Sequence, residues 1–194
     1  MNKRIYIENF TIVEPGSSPD VSFVPPLARR RLSPLQKIFF ALAKAAEISP
    51  SAFTVFATRD GEDTLTRRIV DDYHADGSVS PHRFSASVYN AAPGLWSVFA
   101  ANRSAYTAIA AGEDTIECGI LESLERPGPV LFAYAEETGG GYGAAFRLGA
   151  HSGREVEISN GDVSLSPLTF AALVDFLQGA TNALDGRYIA LRSV

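Results

Sequence analysis

The sequence predicts an α/β layered domain, and three observations predict it. Amphipathic helical stripes alternate with short buried strands through the middle of the chain, and hairpin-like strands follow late. Of the 194 residues, 46% are hydrophobic and 20% are charged, enough apolar material for one sizeable core. No internal repeat and no low-complexity tract interrupts that order, so residues 1–194 read as a single domain.

Ile5 to Val13 alternates and predicts a strand. Pro15, Gly16, Pro19, Pro25 and Pro26 then break the chain, so residues 14–31 read as a surface crossing or an arm over a partner. Ser33, Pro34 and Gln36 form a capping-box start for a helix whose stripe is Leu35, Ile38, Phe39, Leu42 and Ala46, ending before Ser49-Pro50. Phe53 to Ala57 reads as a buried strand. Asp60 or Gly61 opens the next helix, with Leu65, Ile69 and Tyr73 on its inner face. Ser80 and Pro81 start a short helix, and Asn90 to Gly94 reads as a break before another. Ala110 to Glu125 is the next helix, with Gly112 at a tight start and Glu113 and Asp114 at its positive end. Val130 to Ala135 is a continuous apolar run, a strand covered on both sides. Gly139 to Gly141 turns it into an antiparallel partner, Tyr142 to Leu148. Arg154 to Ile158 reads as an edge element. Ser166-Pro167 caps a final helix facing inward through Phe170, Leu173, Val174 and Leu177, and Tyr188 to Leu191 closes the fold.

Several function classes are disfavoured. A net charge of −5 offers no basic face for nucleic acid. The cluster Arg29-Arg30-Arg31 is a solvated surface or a docking patch for an acidic partner. One cysteine, Cys118, allows no internal disulfide and no multi-cysteine metal site, which fits a reducing, cytoplasmic setting. No apolar run approaches the roughly 20 residues of a membrane span, and no leader pattern is expected at the N-terminus.

The chemistry-bearing residues do not assemble into a known motif. His74, His82 and His151 have no ligand-like neighbours at metal spacing. There is no nucleophile elbow and no phosphate loop. Gly139 to Gly143 joins two strands and opens no helix, so it reads as a hairpin. Cys118 lies mid-helix without a cationic neighbour and reads as buried packing. Glu113 and Asp114 are adjacent, so they do not share a helix face and form a poor acid–base dyad. Glu136 and Glu137 either line a cleft or mark a return to solvent. No catalytic residue, metal or cofactor is expected.

Five stretches carry a resemblance. They are Arg30-Arg31-Leu32-Ser33, Phe56 to Glu62, the run Ser80-Pro81-x-x-Phe84-Ser85-x-Ser87-Val88-x-Asn90-Ala91-Ala92-x-Gly94, Ala110 to Asp114, and Val130 to Glu136. Together they resemble the N-terminal domain of a divergent beta-ketoacyl synthase-like family, including chain length factor-like proteins of aryl polyene pigment clusters. The resemblance implies a thiolase-like half, a layered mixed sheet with helices and a truncated second half. The family's nucleophilic cysteine opens a buried helix, and the matching neighbourhood is Ala110, Ala111, Gly112, Glu113 and Asp114, where no thiol stands. Cys118 would lie roughly 10 Å further along that helix. After Glu136 only His151 remains, in surroundings that match neither histidine motif of the family.

The resemblance therefore implies a non-catalytic subunit that pairs with a catalytic ketosynthase, shapes the tunnel for an acyl chain and meets an acyl carrier protein. Phe84, Val88, Tyr89, Asn90, Leu95, Trp96, Phe99 and Tyr106 are candidates for the interface or tunnel, or else fill the chain's own core. Two other readings stand beside it. One is a hydrolase-like enzyme acting on thioesters, which needs a histidine beside Ser or Cys118. The other is a self-associating structural pseudoenzyme, a homodimer built through the Phe84–Tyr106 region.

Overall fold

The computed structural model describes residues 3–46, 52–149 and 152–194. In chain order the elements are β1 (Lys3–Val13), α1 (Pro26–Arg29), α2 (Pro34–Ala45), β2 (Phe53–Ala57), α3 (Asp63–Asp76), α4 (Pro81–Ala86), α5 (Ala91–Phe99) and β3 (Tyr106–Ile109). A 3-10 turn at Gly112–Asp114 leads into α6 (Thr115–Leu124), followed by β4 (Val130–Glu136), β5 (Tyr142–Gly149), β6 (Arg154–Asn160), α7 (Phe170–Gln178), β7 (Ala183–Asp185) and β8 (Ile189–Ser193). His151, and the expected helix stop at Ser49-Pro50, lie outside the described residues.

The strands form one mixed sheet in the order β3-β2-β4-β5-β1-β6-β8-β7. β2 runs parallel to both β3 and β4, and the remaining pairings are antiparallel. Strand β4 shows why the sheet is a middle layer. Successive side chains point to opposite faces. Leu131, Ala133 and Ala135 join a core with Leu35, Phe39, Leu42 and Trp96, under α2 and α5. Val130, Phe132 and Tyr134 join a second core with Ile116, Ile120, Leu173 and Phe176, under α6 and α7. Every residue of β4 is buried, as its unbroken apolar run requires. This is the layered mixed α/β architecture that the sequence predicts.

The capping box is present in full: Ser33 Oγ accepts from the Gln36 N–H at 3.0 Å, and Gln36 Oε1 accepts from the Ser33 N–H at 3.1 Å. Close helix-to-sheet contact is set by Gly119, where an added Cβ would lie 2.7 Å from the Phe132 ring and 2.8 Å from Ala57. No helix among the described residues is long and apolar enough to cross a membrane.

Several expectations are corrected. α3 begins at Asp63, later than Asp60 or Gly61, because Gly61 turns the chain with φ +63° and donates its N–H to Thr58 Oγ1. It has no buried face: Leu65 and Ile69 are half-buried and Tyr73 is exposed. α3 packs chiefly on the short α4, so neither sheet face covers its stripe. The break between α4 and α5 falls at Ser87–Asn90, and Pro93 and Gly94 lie inside α5. Proline is tolerated there because first-turn N–H groups have no intrahelical partner. Tyr106–Ile109, for which the residues predict no element, is a strand. β6 is interior, paired with β1 and β8, and the edge is the three-residue β7. The cap of α7 is Thr169, whose Oγ1 accepts from the Ala172 N–H at 3.1 Å, in place of Ser166-Pro167.

Candidate functional site

Two regions hold the residues singled out from sequence, and they lie on opposite faces of the sheet. The first is the approach to α6. After β3, Ala110 and Ala111 are exposed, Gly112 takes a left-handed conformation with φ +58°, and the helix proper starts at Thr115. The helix therefore begins later than Ala110. Thr115 Oγ1 accepts from the Ala111 N–H at 2.9 Å and donates to the Gly112 carbonyl at 2.7 Å, which pins the turn.

The two acids here diverge. Glu113 is exposed at the wall of a cleft of about 350 Å³, shared with Arg59, Tyr134, Tyr142 and Phe170. Asp114 turns away and accepts from Arg187 Nη1 at 3.1 Å and from the Tyr188 hydroxyl at 3.4 Å. Cys118 is half-buried, not fully buried as packing alone would have it. Burial, reinforced by Asp114 and Glu117, pushes its thiol above the ordinary range, opposite to the shift a nucleophilic thiolate needs. His82 lines a groove on the other sheet face, so it is not brought to Cys118. His74 lies in the last turn of α3, beside Tyr73. Among the described residues, no three His, Cys, Asp or Glu side chains form a group able to hold a metal.

Sequence reasoning underrates three buried acids, Glu136, Glu62 and Glu117. Glu136 is fully buried: Oε1 accepts from the Arg59 N–H, and Oε2 accepts from the Asp60 N–H at 3.2 Å and from Thr58 Oγ1 at 3.3 Å. It anchors the loop that follows β2. Burial raises its carboxyl, and the two backbone donors oppose the rise. Tyr134, beside it, has its phenol pushed well up by burial and then by Glu136 and Tyr142. Glu62 is the second buried acid, at 3% exposure. A single acid before a helix gives no sequence signal of burial, since solvated acids occupy the same position.

The second region is an open cleft of about 630 Å³ between α1, α2, α4, α5 and β3. Its wall includes Phe40, Val88, Leu95, Val98, Phe99 and Tyr106, with Arg31, His82 and Gln36 as polar members. Val88, Leu95, Phe99 and Tyr106 stay substantially exposed. Val98, on the same helix but not singled out from sequence, is 82% exposed. Phe84 (60% exposed) and Tyr89 stand on the same α4–α5 surface outside that wall. The Tyr89 hydroxyl donates to the Arg59 carbonyl at 3.2 Å, and its ring covers Gly61. Asn90 is exposed before α5 and makes no side-chain cap. Trp96 differs from the rest: at 5% exposure it fills this chain's own core, edge-on to Phe40 with ring centroids 5.2 Å apart. β3 borders the cleft as the outermost strand, hydrogen-bonded only to β2 within the sheet.

No curated protein sequence matches the chain significantly. Among solved structures, the chain is similar to one from Xenorhabdus doucetiae, the ketosynthase ApeO in complex with its chain length factor ApeC. The TM-score is 0.77 at 17% identity, covering 98% of this chain and 99% of that one. The ishigamide ketosynthase/chain length factor aligns at a TM-score of 0.58 and 13% identity, over 75% of this chain and 54% of that one. The AntDE:AntF complex, a type II polyketide synthase acyl-carrier protein with its ketosynthase, aligns at 0.63 and 11%, over 77% and 63%. These likenesses establish a ketosynthase/chain-length-factor fold. The family model for the beta-ketoacyl synthase N-terminal domain matches residues 7–137. The chain thus belongs to the beta-ketoacyl synthase N-terminal domain family.

Proposed function

We propose that this chain is a non-catalytic, chain length factor-like subunit that pairs with a catalytic beta-ketoacyl-ACP synthase and shapes the tunnel for an acyl chain carried on an acyl carrier protein. An aryl polyene is the product class that the sequence resemblance favours. The observation that carries the reading is the exposed apolar surface of α4 and α5 beside the open edge of β3. Val98, Leu95, Phe99 and Tyr106 line one cleft and stay exposed together, the kind of grouped apolar surface that marks an interaction site. An edge strand with free N–H and C=O groups next to it favours a protein partner. The residues of the α6 approach supply no nucleophile, so the catalytic thiol belongs to the partner in this reading. We also assign residues 14–31 to this subunit as a surface crossing; Val21 and Val24 are its buried anchors.

Co-expression with a catalytic ketosynthase from the same genome tests the proposal. The expected result is a 1:1 complex by size-exclusion chromatography with light scattering, lost in a Leu95→Glu/Val98→Glu variant. A homodimer that persists and excludes the ketosynthase would support self-association and reject the pairing.

A further inference from the structure

Three elements meet at one buried polar junction beneath the apolar cleft. Glu62 immediately precedes α3 and is 3% exposed. Its Oε1 accepts from Gln36 Nε2 on α2 at 2.8 Å. The same Gln36 Nε2 reaches the Ala86 carbonyl at the end of α4 at 3.4 Å, and Gln36 Oε1 holds the Ser33 N–H. Gln36 and Ala86 both line the cleft. One side chain therefore ties α2 to the α3–α4 arm and forms part of the cleft floor.

The junction lacks two donors among the described residues. Glu62 Oε2 is buried there without a hydrogen-bond partner, and so is Oε2 of Glu137, whose Oε1 accepts from the Thr64 N–H of α3. A buried anionic oxygen with no donor is costly, whereas a protonated carboxyl is itself a donor. We propose that Glu62 is a proton-held latch: in the folded chain its carboxyl carries a proton, which removes the cost of an unpaired buried charge and lets its bond from Gln36 tie the α3–α4 arm to α2.

The groups around Glu62 favour that state. From α2 it meets only Ser33 and Gln36, which are uncharged. From the end of β4 it feels Glu137, a like charge. Nearby on α3, Asp63 is paired with Arg67, and in the preceding loop Asp60 is paired with Arg59. Arg31 and His82 line the cleft together with Gln36. Burial, opposed by Ser33 and Gln36 and reinforced by Glu137, pushes the Glu62 carboxyl up from 4.5 to about 7.

The direction of the pH effect follows from linkage. The latched state holds the proton more tightly than an opened state, where the carboxyl has its ordinary value. The opening constant of the arm therefore rises tenfold per pH unit between pH 4.5 and about 7, and is flat above that. Effects on ketosynthase pairing rest on the function proposed above; the latch itself does not.

Hydrogen exchange of the full chain, corrected for intrinsic amide rates, tests it without a partner. Protection of residues 63–87 should fall about tenfold per pH unit from pH 5 to 7 and then level off. Glu62→Gln, whose amide donates as the protonated acid does, should hold the low-pH protection throughout. Glu62→Ala should be poorly protected at every pH, while His82→Gln should keep the wild-type slope. The latch is overturned if wild type shows no slope, or if Glu62→Gln keeps it. Recovery of protection at pH 8 on adding millimolar magnesium alone would also overturn it, by assigning the two oxygens to a cation. If ketosynthase pairing never forms, the proposed function fails while the exchange result stands.

Discussion

The carboxylate of Glu117 on α6, which has no solvent exposure, accepts the backbone N–H of Ile189 at 2.8 Å. The same side chain accepts the N–H of Tyr188 and, through Oε2, the N–H of Arg187 at 3.1 Å. One acid of α6 thus holds the turn that joins β7 to β8.

Removing that carboxylate leaves its backbone donors without an acceptor. Glu117→Ala should destabilise the domain by about 3 kcal/mol, because hydrogen bonds to charged groups contribute about 1.5–3 kcal/mol and orphaned donors add a cost. Urea unfolding measures this, with hydrogen exchange showing the largest loss of protection at residues 187–189.

Gly119 sets the distance between α6 and the sheet. Gly119→Ala should cost about 1–3 kcal/mol despite the better helix propensity of alanine, since its Cβ would overlap Phe132 and Ala57, both fully buried. A stability equal to or above wild type would show that the helix can lift off without penalty.

Trp96 and Val98 are two residues apart on α5 and should behave oppositely. Trp96→Ala should lose about 3–5 kcal/mol by emptying a core site against Phe40 and Phe23. Val98→Glu should stay within about 0.5 kcal/mol of wild type in stability. Thermal melts of the two variants distinguish these outcomes.

Cys118 should be a slow nucleophile. Its thiol is pushed up by burial and by Asp114 and Glu117, so the thiolate fraction at neutral pH is smaller than that of a free cysteine. Alkylation by iodoacetamide at pH 7.5 should be slower than that of a cysteine in a short unstructured peptide, with the rate still climbing above pH 9.

Much of the fold is legible locally. The Ser33–Gln36 capping box, the apolar run Val130–Ala135 of β4 and the glycine turn into β5 depend on residues close in sequence, and the structure contains each of them. β3 is not legible, because Tyr106–Ile109 is only four residues long and lacks a buried apolar run. It becomes a strand by docking parallel to β2, where the Thr54 N–H reaches the Ala105 carbonyl at 3.2 Å. The stripe of α3 misleads for the converse reason: periodicity marks a face that can be buried, and this face is left without cover.

The candidate site divides along the same line. That Ala110–Asp114 contains no cysteine, and that Ser80 to Ser97 is rich in aromatic and small residues, can be read from the residues themselves, because both concern which side chains are present. Tertiary structure alone separated Trp96, which is core, from Leu95, Val98 and Phe99, which face outward. It also alone made Glu62, Glu117 and Glu136 interior acids. Each partner set is assembled from segments tens of residues apart, and burial of a charge depends on the donors that tertiary packing delivers to it.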